Sequence, residues 1–210
     1  MKLLSLLSSE AGDRTQESNE RVAAMCLENP GALTEIAEGL KQAKKPKLAG
    51  DCAEVMTKVA ERQPQLVVPY ADELLAKLNH RAAKVRWEAA HALALIAPLV
   101  PAAVIGALPV LRQMLSSDAS IVVRDYTIEM IACAAKAGED EARTVFPLLQ
   151  EALTVWEGRH RGLVLKGLVH VSASAPGLRP EISNIAAAYA ADAKTAVAKS
   201  AKALMKSCAT

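Results

Sequence analysis

Three arginines, Arg86, Arg124 and Arg161, recur at spacings of 38 and 37 residues, each in a stretch rich in small and branched apolar residues. Guanidinium groups repeated at such intervals could form a ladder for phosphates or carboxylates, because each presents a planar fork of donors. Trp87 beside Arg86 could anchor a partner or cover a packing seam, since its ring is apolar and its N–H needs an acceptor. The four histidines, His80, His91, His160 and His170, lack the His-x-x-x-His spacing with a carboxylate that a metal site requires. Neither a phosphate-binding glycine loop nor a Gly-x-Ser-x-Gly elbow occurs, so no cofactor and no catalytic residue is assigned. Cys26, Cys52, Cys133 and Cys208 are widely separated, and are read as free thiols in a reducing, cytoplasmic setting.

These residues must be positioned by helices. Prolines at 30, 69, 109, 147 and 180 are 39, 40, 38 and 33 residues apart, and each opens a similar apolar pattern. Pro-Tyr-Ala-Asp-Glu-Leu-Leu follows from Pro69 and Pro-Val-Leu-Arg-Gln-Met-Leu from Pro109. A period near forty with two helical stretches per unit predicts a stacked helical-hairpin solenoid. Of the 210 residues, 51% are hydrophobic and only 3% aromatic, so the core is built from Ala, Leu, Val and Ile in closely approaching helices.

The expected organisation is one domain over residues 1–210. A lead-in and capping helix occupies 1–29, with Asp13 as its N-cap, and repeats follow at 30–62, 65–97, 102–137, 141–174 and 178–208. Outer helices are predicted at 30–42, 65–79, 102–116, 141–156 and 178–191. Inner helices are predicted at 46–62, 82–97, 120–137, 159–174 and 193–208. The apolar N-terminal run is too short for a signal peptide and is read as a packed or frayed lead-in. Ala92 to Leu111 carries no charge, which meets the length criterion for a membrane span. Pro98, Pro101, Gly106 and Pro109 interrupt it, and the repeat register divides it between two helices, so no membrane insertion is expected.

The inner helices share a pattern, Val85-Arg86 followed by Ala89-Ala90-His91-Ala92-Leu93, and Val123-Arg124 followed by Thr127-Ile128-Glu129-Met130-Ile131. On these residues the chain resembles the HEAT-repeat family over about residues 30–208. The resemblance implies an all-α, right-handed α-α superhelix of about five hairpins plus an N-terminal helix. It also implies that the recurrent arginine bonds an acidic residue at the start of an inner helix and ties adjacent repeats together. Asp118 is the only Asp placed for this in the short turns, and His160 rather than Val precedes Arg161.

The leading functional expectation is a non-catalytic scaffold that binds a partner helix or extended peptide along the ridge of inner helices. Trp87 anchors the partner, flanked by Lys84, His91, Arg124 and Glu129, with Asp125, Arg161 and Lys166 as further contacts. The alternative is a nucleic-acid-binding protein. The chain is similar in repeat architecture to HEAT-like alkylpurine DNA glycosylases, for which Trp87, Arg124 and Asp125 are the only comparable set. A net charge of only +2 argues for the scaffold, because dedicated nucleic-acid binders carry a stronger basic bias. A third expectation, drawn from the Ala-rich last helix without a polar cap, is an accessory subunit whose edge another chain covers.

Overall fold

The computed structural model describes residues 2–209, and among these there are helices and turns but no strand. Contacts divide the chain into two compact units, one ending at Leu99 and the other beginning at Val100.

The first unit opens with a 3₁₀ turn, Leu3–Leu6, and a single turn of helix, α1 (Ser8–Ala11). The lead-in is packed, with Leu7 wholly buried and Leu4 lying against Gly39, where no side chain would fit. Helix α2 (Glu17–Glu28) begins four residues later than expected. Asp13 is not its N-cap. Its carboxylate caps from the preceding loop instead, accepting from the Ser18 amide at 2.8 Å and the Thr15 amide at 2.7 Å. The Thr15 hydroxyl and these amides hold the carboxyl well below its ordinary range. Two hairpins follow. Helix α3 (Leu33–Gln42) packs on α4 (Pro46–Arg62), and the short α5 (Ala71–Leu75) packs on α6 (Ala83–Ile96). The outer helix expected at 65–79 opens as 3₁₀ turn and is α-helical only over α5, because Pro64 and Pro69 each withhold a backbone donor and α-helix forms only beyond them.

The second unit contains three hairpins. Helices α7 (Pro101–Gly106) and α8 (Leu108–Ser117) form one broken outer element before α9 (Ile121–Ala134). The break falls at Ala107, immediately ahead of a helix with proline in its first turn. Helix α10 (Glu139–Ala152) keeps Pro147 in its interior and ends four residues before the predicted boundary. A single turn, α11 (Val155–Gly158), leads to α12 (Arg161–Ser174). Helices α13 (Arg179–Tyr189) and α14 (Thr195–Cys208) complete the unit. The uncharged run from Ala92 to Leu111 is shared among α6, a 3₁₀ turn, α7 and α8, and no helix of the described residues is long and apolar enough to cross a membrane.

Small residues set how closely the inner helices approach. In the first unit α4 lies against both α2 and α6, and everything from Ala49 to Thr57 is buried. In the second unit α12 lies between α9 and α14. A methyl group on Gly167 of α12 would sit 2.7 Å from the Ala132 Cβ of α9, so glycine is required at that seam.

Candidate functional site

The recurrent arginines serve the turns that join the helices. In the second unit, Arg124 of α9 is only 2% exposed, which removes it from the partner-contacting surface expected for it. Its Nη1 donates to the Asp118 carbonyl of its own turn, and its Nε donates to His160 Nε2 of the next turn at 3.0 Å. The guanidinium stacks 3.9 Å from the Trp156 ring. Since Nε2 accepts, the ring proton of His160 sits on Nδ1 and faces Asp125 Oδ1 at 2.7 Å. Burial pulls the Arg124 pKa down, and nearby Arg159 adds to this. Arginine has enough reserve to stay charged.

Arg161 of α12 repeats the arrangement. Its Nε donates to the Leu153 carbonyl at 3.2 Å, its Nη1 lies 3.6 Å from Asp192 Oδ2 in the following turn, and its guanidinium lies 5.2 Å from the Tyr189 ring. In the first unit Arg86 of α6 donates to the carbonyls of His80 and Arg81. Each arginine thus closes its own turn, and the two in the second unit also reach the turn ahead. Asp118 is not the sole residue serving this purpose. In the second unit His160 and Asp192 receive the forward bonds of Arg124 and Arg161, and the Asp118 carboxylate accepts from the Ser120 amide at 2.8 Å. The signal for His160 lay in its standing where Val precedes the other arginines, and the signal for Asp192 lay in its position ahead of the last inner helix.

Trp156 does not close an outer helix, as the expected 141–156 boundary has it. It sits beyond α10 in a run of three left-handed residues, with φ of 51° at Trp156, 57° at Glu157 and 71° at Gly158. Its Nε1 donates to the Leu115 carbonyl at 2.9 Å, so the bond and the arginine stack together hold an aromatic residue in a costly conformation. Gly158 suits the third position, where any Cβ would strike the Arg161 guanidinium.

The first unit holds a second polar cluster. Asp51 and Glu54 of α4 are each 4% exposed. Lys84 of α6 places Nζ 3.3 Å from Asp51 Oδ1 and 3.0 Å from Glu54 Oε2. Its stem crosses Gly50, where a Cβ would meet the methylenes at 3.2 Å. Asn19 of α2 donates to the same two oxygens at 3.2 and 3.0 Å, and the Ser9 amide donates to Asp51 Oδ2 at 2.7 Å. Ser8, Ser9, Arg14, Lys47, Asp51 and Lys84 line a polar pocket of about 550 Å3 at the edge of this cluster. Among the described residues no group of His, Cys, Asp and Glu is placed to hold a metal ion.

Trp87 is half-buried, and its Nε1 donates to Glu88 Oε1 at 3.0 Å. Glu88 also accepts from the Thr57 hydroxyl at 3.1 Å. Burial first, and then the Glu54 carboxylate, raise the Glu88 pKa above its ordinary 4.5. The ionised form is therefore unfavourable in the fold. The favourable contribution of the protonated carboxyl is fully present below 4.5 and is lost as pH rises through the elevated folded value. Glu88→Gln should accordingly raise stability at pH 7, with the advantage fading on acidification. Urea unfolding at pH 4 and pH 7 checks both the sign and the trend.

The other expected contacts fall as follows. His91 is half-buried on α6, and burial lowers its pKa against an opposing pull from Glu61. In the second unit Asp125 and Glu129 are partly exposed on α9, Arg161 is half-buried, and Lys166 of α12 is exposed. Glu129 has its pKa raised, mainly by burial and next by Asp125.

No protein-family model and no curated protein matches this sequence. The fold, in contrast, is similar to solved helical-repeat structures along nearly its whole length. A designed armadillo repeat protein in complex with the peptide (KR)4 is 17% identical with a TM-score of 0.75, covering 98% of each chain. Computationally designed armadillo repeat proteins for modular peptide recognition give 17% identity and a TM-score of 0.71, again over 98% of each chain. An engineered protein gives 16% identity and a TM-score of 0.72 over 99% of this chain and 95% of its own. The chain therefore has the all-α fold of a helical-repeat solenoid.

Proposed function

We propose that the protein is a non-catalytic binding scaffold that takes a peptide or a helix of a partner on the open faces of its inner helices. The observation that carries this reading is how the chemically capable side chains are engaged. Arg124, His160, Arg161, Asp51, Glu54 and Lys84 bond to one another, to carbonyls or to amides, and they brace turns and seams. What the inner helices offer to solvent is a mixed surface of small apolar residues and isolated charges. Further support comes from the solved neighbours, whose own purpose is peptide recognition. HEAT-like repeats fit the Val-Arg pattern that the chain carries.

The contacts assigned are Trp87 and His91 on α6, Asp125 and Glu129 on α9, and Lys166 on α12. Arg124 is left out because it is buried beneath Trp156, and Lys84 and Arg161 because they bond to Asp51 and Glu54 and to Leu153 and Asp192. Affinity purification with cross-linking, comparing wild type with Trp87→Ala/His91→Ala and with Glu129→Lys/Lys166→Glu, tests the reading. A protein partner held by wild type and lost from at least one variant is expected. Duplex DNA binding that is tight at low salt and collapses at physiological salt would overturn it.

A further inference from the structure

The open face of α12 in the second unit is flanked by two neighbouring grooves. One, of about 490 Å3, lies between α12 and α14 and is lined by Gly162, Leu163, Val169, Ala196 and Ala203, with Lys166 and Lys199 at its rim. The other, of about 230 Å3, lies between α9 and α12 and is lined by Ile128, Ala132, Cys133, Gly167 and His170, with Glu129 at its rim. Leu163 and Lys166 belong to both. The grooves exist because glycine and alanine occupy the seams where larger side chains would fill them. On its solvent side α12 presents half-buried Gly162, Leu163, Val169 and His170 around exposed Lys166 and Ala173, an apolar strip broken by one charge.

We infer that this double groove docks an amphipathic helix of a partner whose flanks are acidic. Geometry sets the first half of that description. Adjacent seams are about one interhelical distance apart, roughly 8–10 Å. Seven residues of a helix advance about 10.5 Å. A helix crossing α12 can thus place one apolar side chain in each groove from positions i and i+7, with i+3 or i+4 resting on Leu163. Charge sets the second half. Lys166 and Lys199 are exposed, Lys166 within the field of Glu129, and Lys202 and Lys206 are exposed beside Lys199 on α14. Burial, and then Lys136, lower the His170 pKa, so this ring is neutral at pH 7 and acts as part of the apolar lining. Glu129 is the one carboxylate at the rim, on the α9 side, and the lysines outnumber it, so a carboxylate-bearing helix is attracted and a basic peptide repelled, the opposite preference from that of the neighbour solved with (KR)4.

The inference rests on the scaffold reading and deepens it. The test is selection of a displayed library of random 16-residue peptides against the full chain, with (KR)4 as a control. Enriched peptides should combine apolar residues at i, i+3 or i+4, and i+7 with Asp and Glu. Their affinity should fall at least tenfold in Lys166→Glu/Lys199→Glu and in Ala203→Trp, all at exposed positions that leave the circular dichroism spectrum unchanged. Bound peptide should also slow alkylation of Cys133, read by mass spectrometry in a Cys208→Ser background. Burial raises the pKa of Cys133 too, but Cys26 and Cys52 stay silent because they are wholly buried, whereas Cys133 is only partly covered. Enriched peptides that ignore the lysine reversal and leave Cys133 unprotected would overturn the docking site and leave the scaffold reading standing. Preferential binding of basic peptides would do the same, whereas failure to enrich any peptide would count against both.

Discussion

Replacing Arg124 with methionine should lower the stability of the protein by about 3 kcal/mol at pH 7. Methionine fills much of the volume and keeps the helix propensity, so the loss isolates the guanidinium. Two acceptors, the Asp118 carbonyl and His160 Nε2, lose their donor. Each buried acceptor left unbonded costs about 1–3 kcal/mol. Trp156 loses the cation over its ring and with it one of the two contacts that hold its left-handed backbone. Arg124→Lys should recover less than half of the loss, because a single ammonium cannot serve both acceptors and also stack. The double variant Arg124→Met/His160→Phe should be more stable than Arg124→Met alone, since removing both partners of a buried bond costs less than stranding one. Urea titration followed by Trp156 fluorescence in a Trp87→Phe background reads the cluster directly. A loss below 1 kcal/mol, or a double variant no better than the single, would mean that the arginine is only a packed side chain.

How much of this could be read from the chain depends on what physical signal each feature leaves. The inner helices were legible because their apolar residues recur at helical spacing between turn residues, and the predicted 46–62 coincides with α4. The inner helices predicted at 82–97 and 120–137 were likewise close to α6 and α9 with their 3₁₀ extensions. The outer elements were less legible. Paired prolines before α5 replace helix with 3₁₀ turn and a turn at Ala107 divides α7 from α8, and spacing alone does not weigh a missing donor against an apolar stripe. The polar clusters were least legible. Nothing in the sequence singles out Asp51 and Glu54, because α4 is covered by α2 and by α6, and burial of that kind is a property of three helices rather than one. The burial of Arg124 has the same origin, because the residues that enclose it, Trp156 and His160, lie more than thirty positions away.

The second large effect concerns that covered helix. Lys84→Met should destabilise the protein by about 3 kcal/mol at pH 7, because it leaves Asp51 and Glu54 buried with Asn19 and the Ser9 amide as their main donors. Lys58 lies 4.0 Å from Glu54 Oε1 and compensates only in part. Partial solvent access to Lys84 keeps the loss toward the low end for a broken buried pair. The pH dependence follows from the shift at Lys84. Burial pulls its pKa down, but Glu54 and then Asp51 more than offset this, and the net movement is upward from 10.5. A raised folded value means that the stabilisation is fully present below 10.5 and is lost as pH rises through the folded value. Wild type should therefore lose stability above about pH 10.5 by a component that Lys84→Met lacks, so the two unfolding curves converge in alkali. Pairing the change with Glu54→Gln should restore most of the loss at pH 7, since one carboxylate with Asn19 and the Ser9 amide is a satisfied arrangement while two are not. Parallel losses for Lys84→Met and Lys84→Met/Glu54→Gln across the pH range would show that the lysine acts through its methylene stem over Gly50 and not through its charge.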